Sequence, residues 1–270
     1  MTPRFSIYTS AFNVIRNNFD WRGALINFLD FADEVVVAVN SSEDDTLYHI
    51  CQYATEVNGN SDPKLIVLPT DFSYSDPGLD GKVKNAALQA TTEEFKIQLD
   101  LDERIPLWQK PLWERSAREL SDRPEAGAMF ISVVNLYGDE EHAKDISHKW
   151  YLHKEGLYRG VVNFAKNPDG THDIKKSDGC ELIDSKGSLV FTLGGFLVAA
   201  HSELQAPVLQ TQCYPFVVHY GYENLERRIQ LNKQFWKNHW AVEAGHEVSI
   251  ATEIQNLPTE KPFKHGLRLS

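Results

Sequence analysis

The chain has 270 residues, 42% of them apolar, and a formal net charge of −11. This is enough apolar material for the core of one large domain or a domain with an appendage. The acidic balance leaves no basic footprint for nucleic acid or an anionic membrane surface. It does not exclude an anionic nucleotide held by a metal and a few local lysines. Cys51, Cys180 and Cys213 are far apart and form no CxxC pair. Their odd number argues against a disulfide framework and for a reducing compartment. The opening residues run straight into a strand pattern, so no secretory signal is expected. The most apolar stretch, 189–200, is too short and too interrupted by glycine to span a bilayer. These features predict a cytoplasmic chain without a transmembrane segment, with peripheral membrane attachment left open.

Strand and helix patterns alternate over the first ~110 residues, as in a mostly parallel sheet with covering helices. A strand is predicted over 5–9. An amphipathic helix follows over 20–31, with Trp21, Leu25, Phe28 and Leu29 on one face. The apolar run 34–39 reads as a strand buried on both faces. The polar turn 40–46 leads into a helix over 47–57, and a short strand is predicted over 65–68. A helix over 81–90 and a strand over 95–99 complete this half.

The pattern then changes. A helix is predicted over 106–120, and strands over 128–136, 148–153, 189–198 and 214–219. The stretch 163–184 reads as a long loop of the kind that carries function. A long helix is predicted over 223–244, with Gly245 as its C-cap, and an extended tail follows. The expected organisation is one continuous α/β domain. Residues 1–110 form a nucleotide-binding half, 111–245 a mixed acceptor-binding half and 246–270 the tail.

The strand over 95–99 ends in Asp100-Leu101-Asp102-Glu103. Spaced carboxylates at a strand's carboxyl end sit where open α/β sheets bind ligands. Hard oxygen ligands there suit Mg²⁺ or Mn²⁺ bridging to substrate phosphates. Solvated turn carboxylates are the ordinary alternative. The start of the 81–90 helix carries Gly81, Lys82, Lys84 and Asn85, and a helix N-terminus with lysines suits an anion. No HExxH or other compact ligand spacing is present, which argues against a structural zinc site.

Four segments in order carry a family resemblance. They are Ile7-Tyr8-Thr9-Ser10-Ala11-Phe12-Asn13, then 31–37 followed by Ser42-Glu43-Asp44-Asp45-Thr46, then Gly81-Lys82-Val83-Lys84-Asn85-Ala86-Ala87-Leu88, then Leu99-Asp100-Leu101-Asp102-Glu103. Together they resemble family 2-type glycosyltransferases with the GT-A fold, closest to the branch that builds lipopolysaccharide cores and other surface polysaccharides. The fourth segment resembles that family's DXD metal motif. The resemblance implies a GT-A fold: a Rossmann-like, mostly parallel central sheet flanked by helices, with a mixed second half.

It further implies that Thr9, Ala11, Phe12 and Asn13 cradle the base and ribose, with core packing as the alternative for Phe12. Asp44 would approach the ribose or base, or cap the following helix. Lys82, Lys84 and Asn85 would face the diphosphate and Asp80 would cap their helix. Asp100 would reach the sugar or ribose, and Asp102 would hold Mn²⁺ or Mg²⁺. Glu103 would orient the site or serve structure. His219 resembles the late histidine that completes the metal or diphosphate site, with a structural role as its alternative. An inverting transferase needs a general base, and Asp178 and Glu181 are the candidates within 170–181. Trp150, Tyr151, Tyr158 and Arg159 would form an acceptor wall, with core packing as the rival role of Trp150.

The activity so implied is metal-dependent, inverting transfer of a hexose-type sugar. The donor would be a nucleotide-diphosphate sugar and the acceptor a glycan or a lipid-linked hydroxyl. Two alternatives stand beside it. One is a sugar nucleotidylyltransferase, disfavoured because residues 10–16 lack the Gly-rich loop that such enzymes carry. The other is a non-catalytic nucleotide-sugar or glycan-binding module.

Overall fold

The computed structural model describes residues 2–59, 62, 64–73, 79–123, 127–154, 158–160, 181–183, 215–221 and 263–264. In chain order these form β1 (Phe5–Ala11), α1 (Trp21–Phe31), β2 (Glu34–Asn40), α2 (Thr46–Asn58), β3 (Leu65–Thr70), α3 (Leu79–Gln89) and β4 (Phe95–Gln98). There follow β5 (Glu103–Arg104), a 3-10 turn (Leu107–Gln109), α4 (Lys110–Ser121), β6 (Ala128–Leu136) and β7 (His142–His153). The last are β8 (Tyr158–Gly160), β9 (Glu181–Ile183), β10 (Phe216–His219) and β11 (Phe263–Lys264).

The main sheet has the order β3-β2-β1-β4-β7-β6-β10-β5, with β11 paired to β7, and β8 and β9 form a separate hairpin. β3, β2, β1 and β4 run parallel. β7 is antiparallel to both β4 and β6, while β10 is parallel to β6. The carboxyl ends of β1, β4, β6 and β10 therefore lie along one edge. The fold is α/β, with a parallel first half and a mixed second half.

Burial follows the alternation of side chains along each strand. From β1, Phe5, Ile7 and Ala11 enter a core that takes Phe28 and Phe31 from α1, Ile50 from α2 and Trp113 from α4. Tyr8 points the other way, into a smaller core with Leu79, Val83 and Ala87 of α3. The sheet is thus covered on both faces, which explains why every residue of β2 is buried. Right-handed crossovers account for the split. The chain moves from β1 to β2 to β3 with α1 and α2 on one face, then returns past them to β4 with α3 on the other. The direction reverses between β1 and β4, making a crevice at their carboxyl ends, where such sheets bind ligands.

Local chemistry sets several boundaries. Asp20 caps α1 by accepting the Gly23 N–H at 3.1 Å. A Cβ on Gly23 would stand 2.1 Å from that carboxylate, so a larger residue there would make the exposed Asp20 side chain shift. The helix predicted over 106–120 is divided: the 3-10 turn comes first, and α4 carries Pro111 in its first turn, where the missing N–H costs nothing. α3 starts at Leu79, so Asp80 lies inside the first turn and is not its cap. β7 begins at His142 and not near 148, because it pairs along the length of β6. Two expectations need correction. Residues 181–183, read as loop, form β9, and residues 263–264 of the extended tail pair with Ala143 and His142 as β11. The strand predicted over 189–198 and the helix over 223–244 lie outside the described residues. Among the described residues no helix is long and apolar enough to cross a membrane.

Candidate functional site

The carboxyl edge of the sheet gathers the predicted acidic residues with partners from distant segments. After β4, Asp100 is held from several sides. Its Oδ1 accepts from Gln98 Nε2 at 2.9 Å and lies 3.0 Å from Lys84 Nζ. Its N–H donates to Glu103 Oε2 at 2.8 Å. Glu103 is fully buried and returns its own N–H to the Asp100 carbonyl at 2.9 Å. This reciprocal pair closes a tight turn between β4 and β5, with Asp102 inside it. Removing the buried acceptor would orphan a main-chain donor, at a cost of about 1–3 kcal/mol.

Lys84 projects from α3 into the same edge. It is nearly buried, with Nζ 2.9 Å from Asp80 Oδ2 as well as 3.0 Å from Asp100 Oδ1. Its charge is thus matched by two carboxylates, which is what burial of an ammonium group requires. Lys82 is exposed and Asn85 half-buried on the same helix.

Asp102 Oδ2 lies 3.3 Å from His219 Nε2, across 117 residues of sequence. β10 ends on His219, and its register sets Glu103 on one side and Asn135 of β6 on the other. His219 Nδ1 is 2.7 Å from Asn135 Oδ1. The Tyr220 N–H donates to the Asp102 carbonyl at 2.8 Å, fixing the two strand ends together. Arg104 braces them from behind. Its guanidinium stacks 5.8 Å from the Tyr220 ring and pairs with the helix cap Asp20 at 3.0 Å. A Cβ on Gly221 would stand 2.3 Å from His219 Nε2 and 3.2 Å from Asp102 Oδ2. The chain therefore passes so close to the His219 ring at this point that only glycine fits without a shift.

A carboxylate oxygen and an imidazole nitrogen 3.3 Å apart make a mixed donor pair that suits Mn²⁺ better than Mg²⁺, which prefers oxygen ligands alone. Among the described residues no three His, Cys, Asp or Glu side chains converge on one point. A cation there would draw its other ligands from water or substrate phosphates, as Mg²⁺ commonly does.

The β1 end of the crevice is built differently. The side chains of Thr9, Ala11 and Asn13 are all buried, so a ligand at this end would meet these residues through the main chain. Phe12 is half-buried. Asn13 takes φ +48°, a left-handed geometry that asparagine tolerates, and its amide oxygen accepts the Glu43 N–H at 2.8 Å. Asp44 accepts the N–H groups of Arg16 at 2.8 Å and Thr46 at 3.0 Å. Burial opposes its ionisation, but hydrogen bonds from the Thr46 side chain and from the main chain of Arg16, Thr46 and Ile15 outweigh it. The carboxyl is held below its ordinary value. These bonds tie the turn after β1 to the turn after β2, forming one wall of the crevice. Asp45 stands at the cap position of α2 with no side-chain cap bond.

The residues expected on the acceptor side fall on three strands and a segment outside the described residues. Trp150 and Tyr151 lie in β7, and Tyr158 and Arg159 in β8, which runs beside α3. Glu181 opens β9, paired with Gly160. Asp178 lies outside the described residues. Reading the sequence alone picked out Lys84, Asp100, Asp102 and His219 but missed Gln98, Asn135 and Gly221. Gly221 carried a signal in the His-Tyr-Gly turn, while Asn135 ends an apolar run like many others.

No protein-family model and no curated protein matches the chain. It is similar to several solved structures. One is residues 1–349 of S. aureus TarS in complex with UDP, at 21% identity over 51% of this chain and 36% of that one, TM-score 0.35. Another is the same protein with UDP-GlcNAc, at 21% identity over 51% and 35%, TM-score 0.34. A third is the mannosyltransferase PcManGT from Pyrobaculum calidifontis in complex with GDP-Man and Mn²⁺, at 19% identity over 51% and 36%, TM-score 0.35. The match spans about a third of these crystallised chains and 21% of a longer TarS chain.

Proposed function

We propose that this chain is a metal-dependent, inverting glycosyltransferase of the GT-A type. It moves a sugar, of hexose type, from a nucleotide-diphosphate donor to a hydroxyl of a glycan or lipid-linked acceptor, in the synthesis of a surface polysaccharide. One observation carries the reading. Asp102 and His219 meet at 3.3 Å on the carboxyl edge of the sheet, beside the crevice where strand order reverses. Lys84 and Asp100 stand beside them.

Asp102 and His219 would hold a divalent cation, which would supply positive charge for the departing diphosphate. Residues 1–110 hold the donor, with Phe12, Asn13 and Asp44 on the base side and Lys82, Lys84 and Asn85 toward the phosphates. The acceptor oxygen attacks the anomeric carbon as the bond to the phosphate oxygen breaks. Asp178 or Glu181 takes the acceptor proton, and the nucleoside diphosphate leaves. Trp150, Tyr151, Tyr158 and Arg159 line the acceptor side.

A thermal-shift panel of UDP, GDP, CDP and TDP with and without Mn²⁺ tests this. A ligand at a hundred times its Kd stabilises by about 2.7 kcal/mol, or roughly 5–10 °C for a chain of this size. One or more nucleotides should give such a shift only with Mn²⁺, and the sugar donor should yield nucleoside diphosphate. An equal shift without metal, or pyrophosphate as product, would overturn the proposal.

A further inference from the structure

We propose that Asn135 is a positioning residue that fixes the tautomer of His219 and so aims a lone pair at Asp102. The inference rests on the reading of Asp102 and His219 as a cation site. It follows from the chemistry of three atoms. The Asn135 amide oxygen accepts hydrogen bonds and cannot donate them, so at 2.7 Å the ring nitrogen Nδ1 carries the proton. In the neutral ring, Nε2 is then the unprotonated nitrogen. It faces Asp102 Oδ2, another acceptor, at 3.3 Å. Two lone-pair atoms held face to face repel one another unless a proton, as in the ion pair of a charged ring, or a metal cation lies between them. Gly221 places no side chain against either atom.

The sheet makes the arrangement rigid. Asn135 and His219 are register partners at the ends of β6 and β10, so their side chains share one face. They continue the row of Val133 and Val217, which are anchored in the large core. Val134 and Val218, on the opposite face, are locked in a second cluster with Phe216 and Leu136. A slip of one residue in β6 would put valine or leucine beside the ring. Both Asn135 and His219 are 8% exposed, so water has little access to replace the amide. Partners of this kind orient a ligating imidazole, and removing one commonly lowers metal affinity about 10- to 100-fold.

The test uses the full chain, free of metal and labelled with ¹⁵N. Long-range ¹H–¹⁵N spectra are recorded at a pH where histidine is neutral, and the His219 signals are identified by their loss in His219→Gln. The wild type should show a protonated Nδ1 and a bare Nε2. Asn135→Leu should lose that preference and lower the affinity for Mn²⁺ alone, read from its electron paramagnetic resonance, about 10- to 100-fold. Asn135→Asp keeps an acceptor at the same place and should keep both properties. A wild-type ring protonated on Nε2 would overturn the inference, because that proton would close directly onto Asp102. Mn²⁺ affinity unchanged in Asn135→Leu would overturn it too. Mn²⁺ binding that depends on Asn135 but is indifferent to every nucleotide would uphold the inference and remove the proposed function. Transfer that persists at full rate in Asn135→Leu with Mn²⁺ held near the wild-type Kd would do the reverse.

Discussion

Asp102→Asn should lower kcat/KM for sugar transfer by about 10³-fold or more, while the melting temperature stays close to that of the wild type. The substitution keeps the shape of the side chain and removes its charge. Charge stabilisation of a leaving diphosphate is worth several kcal/mol. At about 1.36 kcal/mol per factor of ten, losing about 4 kcal/mol gives that drop in rate. The fold should survive because the anchoring contact is the main chain of Asp102, whose carbonyl accepts from Tyr220 in either variant. Asp100→Asn should behave differently. Asp100 shares the buried Lys84 with Asp80, so its loss weakens a buried ion pair and lowers stability along with activity. Steady-state kinetics with the donor chosen by the thermal-shift panel, set beside calorimetric melting, separates the two variants. Turnover unchanged in Asp102→Asn would refute the metal assignment.

Gly221→Ala should be nearly as damaging, at about 10²-fold in kcat/KM, although it adds one methyl group. The new carbon would stand 2.3 Å from His219 Nε2 and 2.6 Å from the neighbouring ring carbon. No real Cβ tolerates such distances, so the ring or the turn must move. The ring is buried and tied to Asn135, so movement breaks that bond or the approach to Asp102. Misplacing a catalytic group by about 1 Å can cost roughly 10²-fold, and overpacking typically destabilises by about 1–3 kcal/mol. Kinetics and Mn²⁺ titration of this variant would show both losses together. A Gly221→Ala protein with wild-type Mn²⁺ affinity would contradict the placement of the cation.

The first half of the fold was legible because each of its elements signals itself locally. The run 35–39 is apolar throughout, as a strand buried on both faces must be, and Leu25, Phe28 and Leu29 repeat at helical spacing. The second half was harder because its pairings are long-range. Glu103 and Arg104 become a strand through His219 and Val218, and Phe263 and Lys264 through Ala143 and His142. Nothing within either dipeptide announces this.

The site divides in the same way. Asp100 and Asp102 were visible as carboxylates at a strand end, and His219 as a histidine before a glycine turn. Asn135 was not, since its role depends on β6 lying beside β10, a neighbour relation that no local pattern encodes. Thr9 and Ala11 show the converse. Their motif resembles a ligand-facing strand end, yet the alternation along β1 turns both into the core.

The central claim is that a divalent cation held by Asp102 and His219 grips the phosphates of an activated sugar. Crystals grown with Mn²⁺ and the nucleoside diphosphate that shifts the melting temperature most would test it directly, through the anomalous signal of the metal. The account predicts a single strong peak against Asp102 Oδ2 and His219 Nε2, with the diphosphate bridging from it toward Lys84. Metal and phosphates bound together anywhere else on the molecule would contradict it.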